Sequence, residues 1–260
     1  MTKKVLKAVI PAAGKGVRLS QLTRRRPKVM LKFLGKPLLE HTLNSVREAG
    51  ILDVTIIVGY KSRDITSYFG DGQSLGLNIT YVRDKVMKGT AKAIKAAEEK
   101  VDSTFLMVFG DVYPETPLIN SLINVHSSAR IAMGESVVAT LALTKVNDPQ
   151  NHAPVMFENG VVKEFWSKRS CWVDMGIMVL EPIIFEFIDQ TPQVKGEFRI
   201  LETLRLMLGE GYRIAAYASS HPWVQIGDHR GLLSLIETNI YFLKKAGLEN
   251  YVEDSRIENS

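Results

Sequence analysis

Arg18 and Lys28 stand close behind a short loop, Ala12, Ala13, Gly14, Lys15 and Gly16, which itself follows the apolar run Val5–Pro11. Glycines at 14 and 16 let backbone N–H groups approach phosphate oxygens closely. Fixed cations behind such a loop neutralise the negative charge that develops in phosphoryl chemistry, and arginine can hold two oxygens at once. The loop lacks the Gly-Lys-Ser/Thr ending of the ATPase phosphate loop, and Leu19 fills the place of the third glycine in the dinucleotide fingerprint. Lys28 abuts the apolar "VML" and is expected to point inward, whereas Arg24–Arg26 reads as a solvated turn. Asp111 closes "FLMVFGD", a carboxylate at the end of an apolar strand, where an open parallel sheet places its ligand crevice. Magnesium takes carboxylates together with phosphate oxygens and water. Loop, cations and carboxylate together suit a polyphosphate carrying Mg2+.

The elements that must position these residues alternate. Val5–Pro11, Val54–Val58, Ile79–Val82 and Phe105–Phe109 read as strands. Pro37–Ala49 reads as a helix stopped by Gly50, Thr90–Lys100 as a helix with Thr90 as its cap, and Pro117–Ser128 as a helix with proline at its start. This order predicts an α/β fold, a Rossmann-like, mostly parallel central sheet with helices on both faces. The second half adds Ser136–Thr144, a hairpin of Val155–Phe157 and Val161–Trp166 around "ENG", Trp172–Leu180 and Tyr212–Ala218 as strands. Pro182–Asp189, Ile200–Leu208 and a closing Gly231–Lys245 read as helices. These predict an antiparallel β extension of the first sheet, within one domain over residues 1–246 and a tail over 247–260.

Composition narrows the setting more than the chemistry. The 260 residues are 45% hydrophobic, enough for a sizeable core, and the net charge of +5 is a mild excess that selects no partner class. Cys171 is the only cysteine, which excludes an intrachain disulfide and a cysteine zinc cluster. The five histidines have no metal-ligand spacing. The N-terminus has no signal-peptide core, and no apolar run reaches the ~20 residues of a membrane span. The expected setting is cytoplasmic, with no membrane and no nucleic-acid partner, since the basic residues gather at one turn rather than along a stripe.

The stretch "AAGKGVRLSQLTRRRPKVMLKFLGKPLLEHTL" resembles the opening of the sugar-1-phosphate nucleotidylyltransferases, with the pattern G-G-x-G-T-R-L-x-P-L-T, then P-K, then K-P. The resemblance continues at intervals to about Asn239. It implies the nucleotide-diphospho-sugar transferase fold and a Mg2+-dependent transfer of a nucleoside monophosphate from a nucleoside triphosphate to a sugar 1-phosphate. By the same resemblance Ala12–Gly16 would wrap the nucleotide, Arg18 would bind departing pyrophosphate, and Lys28 would bridge the phosphates of both reactants. "RDKVMKGTA" matches the base-recognition stretch and assigns Asp84, Gly89 and Thr90 to the nucleotide, with Asp84 where the family writes glutamine. Asp111 becomes the metal ligand. The second metal aspartate is replaced by Gln225, leaving Gln225 or Asp228 as the alternative donors. Lys168 of "FWSKR", Asp174 and Gly176 of "DMGIMVL", and Lys195 of "KGEF" fall to the sugar phosphate, although Ser167 replaces the family's sugar-binding glutamate.

Two other functions compete. One is a cytidylyltransferase acting on an alcohol phosphate such as an inositol phosphate. The other is a non-catalytic sugar-nucleotide sensor or regulatory subunit. No hexapeptide repeats of a left-handed β-helix follow, so no acyltransferase activity is expected, and a homo-oligomer is left open.

Overall fold

Alternation along short apolar runs decides the architecture. The computed structural model describes residues 5–16, 19, 23–33, 35–226 and 240. Arg18, Asp228, the expected closing helix over 231–245 apart from residue 240, and the tail lie outside the described residues. Nine strands form the main sheet: β1 (Lys7–Pro11), β2 (Asp53–Val58), β3 (Asn78–Arg83), β4 (Phe105–Val108), β5 (Val137–Lys145), β6 (Val155–Glu158), β7 (Val161–Phe165), β8 (Trp172–Leu180) and β9 (Arg213–Ala218). Their spatial order is β3-β2-β1-β4-β8-β5-β9-β7-β6. β1, β2, β3 and β4 are mutually parallel. β8 runs antiparallel to both β4 and β5, and β7 antiparallel to both β9 and β6.

Successive side chains of a strand face opposite sides, and here both sides are apolar. Ala8 and Ile10 of β1, Val54, Ile56 and Val58 of β2, and Leu106 and Val108 of β4 enter one core. Val9, Ile57, Phe105 and Met107 enter the other. The first core is roofed by α1 (Leu38–Glu48), α2 (Ser62–Phe69) and α4 (Thr116–Met133), the second by α3 (Thr90–Lys95), α5 (Ile184–Ile188) and α6 (Ile200–Gly209). This is the predicted fold class, a mostly parallel sheet covered on both faces.

The structure corrects several expectations. The second half extends the first sheet beyond β4, as expected, starting with the antiparallel β8, but its strands are not in chain order, and β9 pairs with β5 in parallel. α3 ends at Lys95, with a separate short turn over Glu98–Lys100 in place of one helix to Lys100. α4 runs on to Met133, beyond the expected Ser128. Thr90 does not cap α3. Its hydroxyl accepts the Ile200 N–H at 2.9 Å, at the start of α6. The Asn159–Gly160 turn holds both residues at positive φ, as its sequence requires. Among the described residues no helix is long and apolar enough to cross a membrane.

Candidate active site

β1 is flanked by β2 on one side and β4 on the other, so the chain reverses its direction of winding there. Ligand crevices of open sheets lie outside the carboxyl ends of strands at such a switch point. The loop Ala12–Gly16 leaves the end of β1 and is pinned on both sides. Ala12 donates its N–H to the Ile57 carbonyl at 2.8 Å, and the Ala13 carbonyl accepts the Tyr60 N–H at 3.1 Å. A Cβ on Gly59 would lie 2.8 Å from the Ala13 Cβ, so a glycine is needed there for the loop to lie flat on β2. The Ala12 N–H is thus spent on the sheet, while Gly14 and Lys15 are exposed.

Gly16 has φ +62°, and a Cβ there would meet Thr23 Cγ2 at 3.0 Å and Lys28 Cβ at 3.2 Å. The buried Thr23 hydroxyl bridges the Gly16 and Leu19 carbonyls at 2.9 and 3.0 Å. Lys61 clamps the following turn, its ammonium donating to the Arg24 carbonyl at 2.9 Å. Arg24–Arg26 are exposed, as expected of a solvated turn. The reading of the sequence missed Thr23 and Lys61. Their only signal was proximity to the loop, and Lys61 arrives from the end of β2.

Lys28 points inward. It forms an ion pair with Asp111, and both side chains are largely enclosed, at 17% and 12% exposure. Asp111 follows β4 through Phe109–Gly110, where the Gly110 N–H donates to the Pro11 carbonyl at 3.1 Å. The loop after β1 and the carboxylate after β4 are therefore joined backbone to backbone. A two-stranded ribbon pairs Gln225 with Val112, and the Ile226 N–H donates to the Asp111 carbonyl at 3.0 Å. Gln225 is thereby brought one residue from Asp111 across the ribbon.

The donor set bears on the metal. Among the described residues no group of three or more His, Cys, Asp or Glu side chains could hold an ion. One carboxylate and one amide carbonyl are hard oxygen donors. Asp111 is the kind of donor magnesium takes together with substrate phosphates and water, and Gln225 lies one register position away on the paired strand.

Asp84 is buried, and its Oδ1 accepts the N–H groups of Val86 and Met87, both at 2.9 Å. Gly89 has φ +108° and lies against the backbone of Phe198. The Gln193–Val194 and Glu197–Phe198 hairpin turns through Lys195 and Gly196, both at positive φ, and the Phe198 N–H donates to Lys88. Lys195 is therefore a turn residue, exposed like Lys168, and neither makes an ion pair among the described residues. The structure joins neither of them to the Lys28–Asp111 pair.

Gly176 meets the site more closely. At φ +74° its missing Cβ is replaced by the ring of Phe109, whose N–H donates to the Gly176 carbonyl at 3.0 Å. Three buried polar side-chain atoms have no partner among the described residues: Trp166 Nε1, Ser167 Oγ and Asp174 Oδ1. Ser167 and Asp174 are tied by their N–H groups to adjacent carbonyls, those of Pro154 and Ala153. Arg199, absent from the expected set, places its guanidinium 6.0 Å from the Trp166 ring centre. Unpartnered buried polar groups are costly, which sets these three apart from the apolar core around them.

Burial pushes the Asp174 carboxyl up to about 7 from the ordinary 3.8, with the Gly176 N–H pulling the other way. The folded chain thus holds this proton more tightly than the unfolded one. That contribution to stability is present at low pH and is lost as pH rises from about 4 to about 7. Asp174→Asn is expected to remove this decline and to stabilise the protein by about 1–3 kcal/mol at pH 8. Melting curves of both proteins across pH 4–8 check it. A parallel decline in the variant would show that Asp174 is not the group responsible.

The model of the Nucleotidyl transferase family matches residues 7–240 of the chain. The chain is 28% identical over 265 residues to Low-salt glycan biosynthesis nucleotidyltransferase Agl11 of Haloferax volcanii, covering 97% of this chain and 72% of that one. It is 27% identical over 281 residues to UTP–glucose-1-phosphate uridylyltransferase of Staphylococcus haemolyticus, covering 94% of each. Other matched relatives are longer, and the chain spans about half their length. A solved UDP-glucose pyrophosphorylase complexed with UDP-glucose superposes with a TM-score of 0.79 at 23% identity, over 93% of this chain and 100% of that chain, a likeness of fold.

Proposed function

The chain belongs to the nucleotidyl transferase family, and from that membership we propose that it transfers a nucleoside monophosphate from a nucleoside triphosphate to a sugar 1-phosphate, releasing pyrophosphate. The observation that carries this reading is the enclosed Lys28–Asp111 pair beneath the Ala12–Gly16 loop, at the switch point of the sheet. The names of the relatives support a sugar 1-phosphate as acceptor. The same reading takes residues 1–246 as the transferase unit, 247–260 as a tail, and the cytoplasm as its setting.

The acceptor's phosphate oxygen is already an anion, so no general base is required of the protein. Its task is to bring two anions together and to stabilise the crowded phosphorus between them. Lys28 has an ammonium within reach of the loop that would hold the triphosphate, and Gly14 to Gly16 supply backbone N–H groups. Asp111, with Gln225 across the ribbon, would hold Mg2+, which contributes positive charge on the triphosphate when bound. The patch of Trp166, Ser167, Asp174 and Arg199 would receive the polar acceptor, with Lys168 and Lys195 at its rim.

The test is pyrophosphate release from each nucleoside triphosphate with Mg2+ and a panel of sugar 1-phosphates and alcohol phosphates. Release dependent on a sugar 1-phosphate supports the proposal. Release confined to an alcohol phosphate, or silence across the panel with tight binding of a sugar nucleotide, overturns it.

A further inference from the structure

Residues 219–226 form a strap that leaves the end of β9 and arrives beside Asp111. It is tied down along its length. The Ser219 N–H donates to the Leu143 carbonyl at 2.8 Å, and the Ser219 hydroxyl accepts the His221 N–H at 3.0 Å. The His221 ring reaches Glu115, just before α4, with Nδ1 and Oε2 2.8 Å apart and side-chain exposures of 24% and 13%. Trp223 donates its Nε1–H to the Met175 carbonyl of β8 at 2.9 Å, and its ring meets that of His152 at 5.4 Å between centres. The strap ends in the ribbon, with Val224 opposite Tyr113 and Gln225 opposite Val112.

A ribbon of two residues per strand has little cohesion of its own. The Ile226 N–H on the Asp111 carbonyl secures it at one end. The His221–Glu115 contact secures it at the other, between side chains that follow the ribbon on both strands. A carboxylate only accepts, so Nδ1 is the donor, and a bond to a charged acceptor is stronger than one between neutral groups. Gln225 has no charge with which to draw a cation. Its amide can serve a metal at Asp111 only where the backbone already holds it.

We infer that His221 is a positioning residue for Gln225: by donating to Glu115 it fixes the strap, and the strap keeps Gln225 beside the Asp111 turn. This rests on the nucleotidyl-transfer reading and on the metal role proposed above for Asp111 and Gln225. His221 acts through Gln225 and not on a reactant. A misplacement of about 1 Å around a reacting centre costs on the order of 100-fold in rate, even when it starts from a residue outside that centre.

The experiment compares the full chain with His221→Leu, His221→Asn, Glu115→Ala and the double variant of His221→Leu with Glu115→Ala. Leucine removes the donor, whereas asparagine places an N–H near the position of Nδ1. Binding of GTP, CTP, ATP, UTP and dTTP is measured as the Mn2+ complexes, by water-proton relaxation, and without metal, by equilibrium dialysis. Turnover and the KM for the sugar 1-phosphate are measured per folded molecule. His221→Leu is expected to lower turnover about tenfold or more and to weaken the Mn2+ complex by a similar factor, with metal-free binding and the acceptor KM within about twofold. His221→Asn recovers most of both losses. Glu115→Ala matches His221→Leu, and the double variant falls no further, because the two side chains act as one unit. A purely structural contact would lower the folded fraction and leave the folded molecules' metal-complex affinity unchanged, which overturns the inference. Equal loss in His221→Asn and His221→Leu, or additive losses in the double variant, overturns it too. Absence of pyrophosphate release by the unmodified chain defeats nucleotidyl transfer alone, and the Mn2+ comparison then decides the role of His221. Failure of all five Mn2+ complexes to bind the unmodified chain overturns the inference.

Discussion

Replacing Lys28 with methionine lowers the turnover of nucleotidyl transfer about 100–1000-fold, the loss typical of one removed donor to developing negative charge. Methionine keeps most of the apolar stem, including the Cβ close to Gly16, and removes the charge. On the proposed reading the ammonium lies where the two reactants' anions meet, and at 17% side-chain exposure water would replace little of it. Its partner Asp111 is left unpaired in the free enzyme, so the variant also loses some stability. Turnover is therefore read per folded molecule, with circular dichroism giving the folded fraction. Arg18 lies outside the described residues, and Lys28 is the cation whose position is known. Turnover near the unmodified level in Lys28→Met would remove the electrostatic basis of the proposed function.

Gly89→Ala is expected to destabilise the fold by about 2–5 kcal/mol, the sum of backbone strain and overpacking. Two independent faults coincide there. At φ +108° and ψ 171° the backbone occupies a region open essentially to glycine alone. A Cβ would also stand 2.5 Å from the Phe198 carbonyl oxygen and 2.7 Å from its nitrogen, atoms of a backbone that cannot rotate away. The hydrogen bonds from the Phe198 N–H to Lys88 and from the Ile200 N–H to Thr90 hold that contact shut. The urea midpoint of the variant measures the cost, with an unchanged m-value marking a pure stability effect. A shift worth less than about 1 kcal/mol would mean that the hairpin over residues 193–198 is loosely docked.

The hairpin shows why part of the site was not legible. "KGEF" reads as charge near the phosphate, yet Lys195 and Gly196 form the hairpin's turn, and its strands are two residues each. Runs that short carry no periodicity to read. Thr90 was expected to cap its own helix because a threonine before an alanine-rich run is a local signal. Its real partner, Ile200, is 110 residues away. Lys28 was read correctly as inward-pointing because "VML" beside it is a local apolar cue. Asp111 stands out in the sequence because a carboxylate at the end of a buried strand has few packing explanations, and the structure shows it enclosed and paired with Lys28.

By itself the sequence determined what depends on neighbours along the chain: the apolar runs of the strands, the faces of the helices, the Asn-Gly turn, and the loop whose glycines admit an anion. Each follows from torsional freedom and periodic burial within a dozen residues. Tertiary structure alone decided that β8 separates β4 from β5, that Lys28 neutralises Asp111 across 83 positions, and that Gly89 rests on Phe198. It also left Trp166, Ser167 and Asp174 with buried atoms awaiting partners. Strand order is a choice among pairings of nearly equal local energy. Only the simultaneous burial of both faces of the sheet selects one, and the site is assembled by that selection.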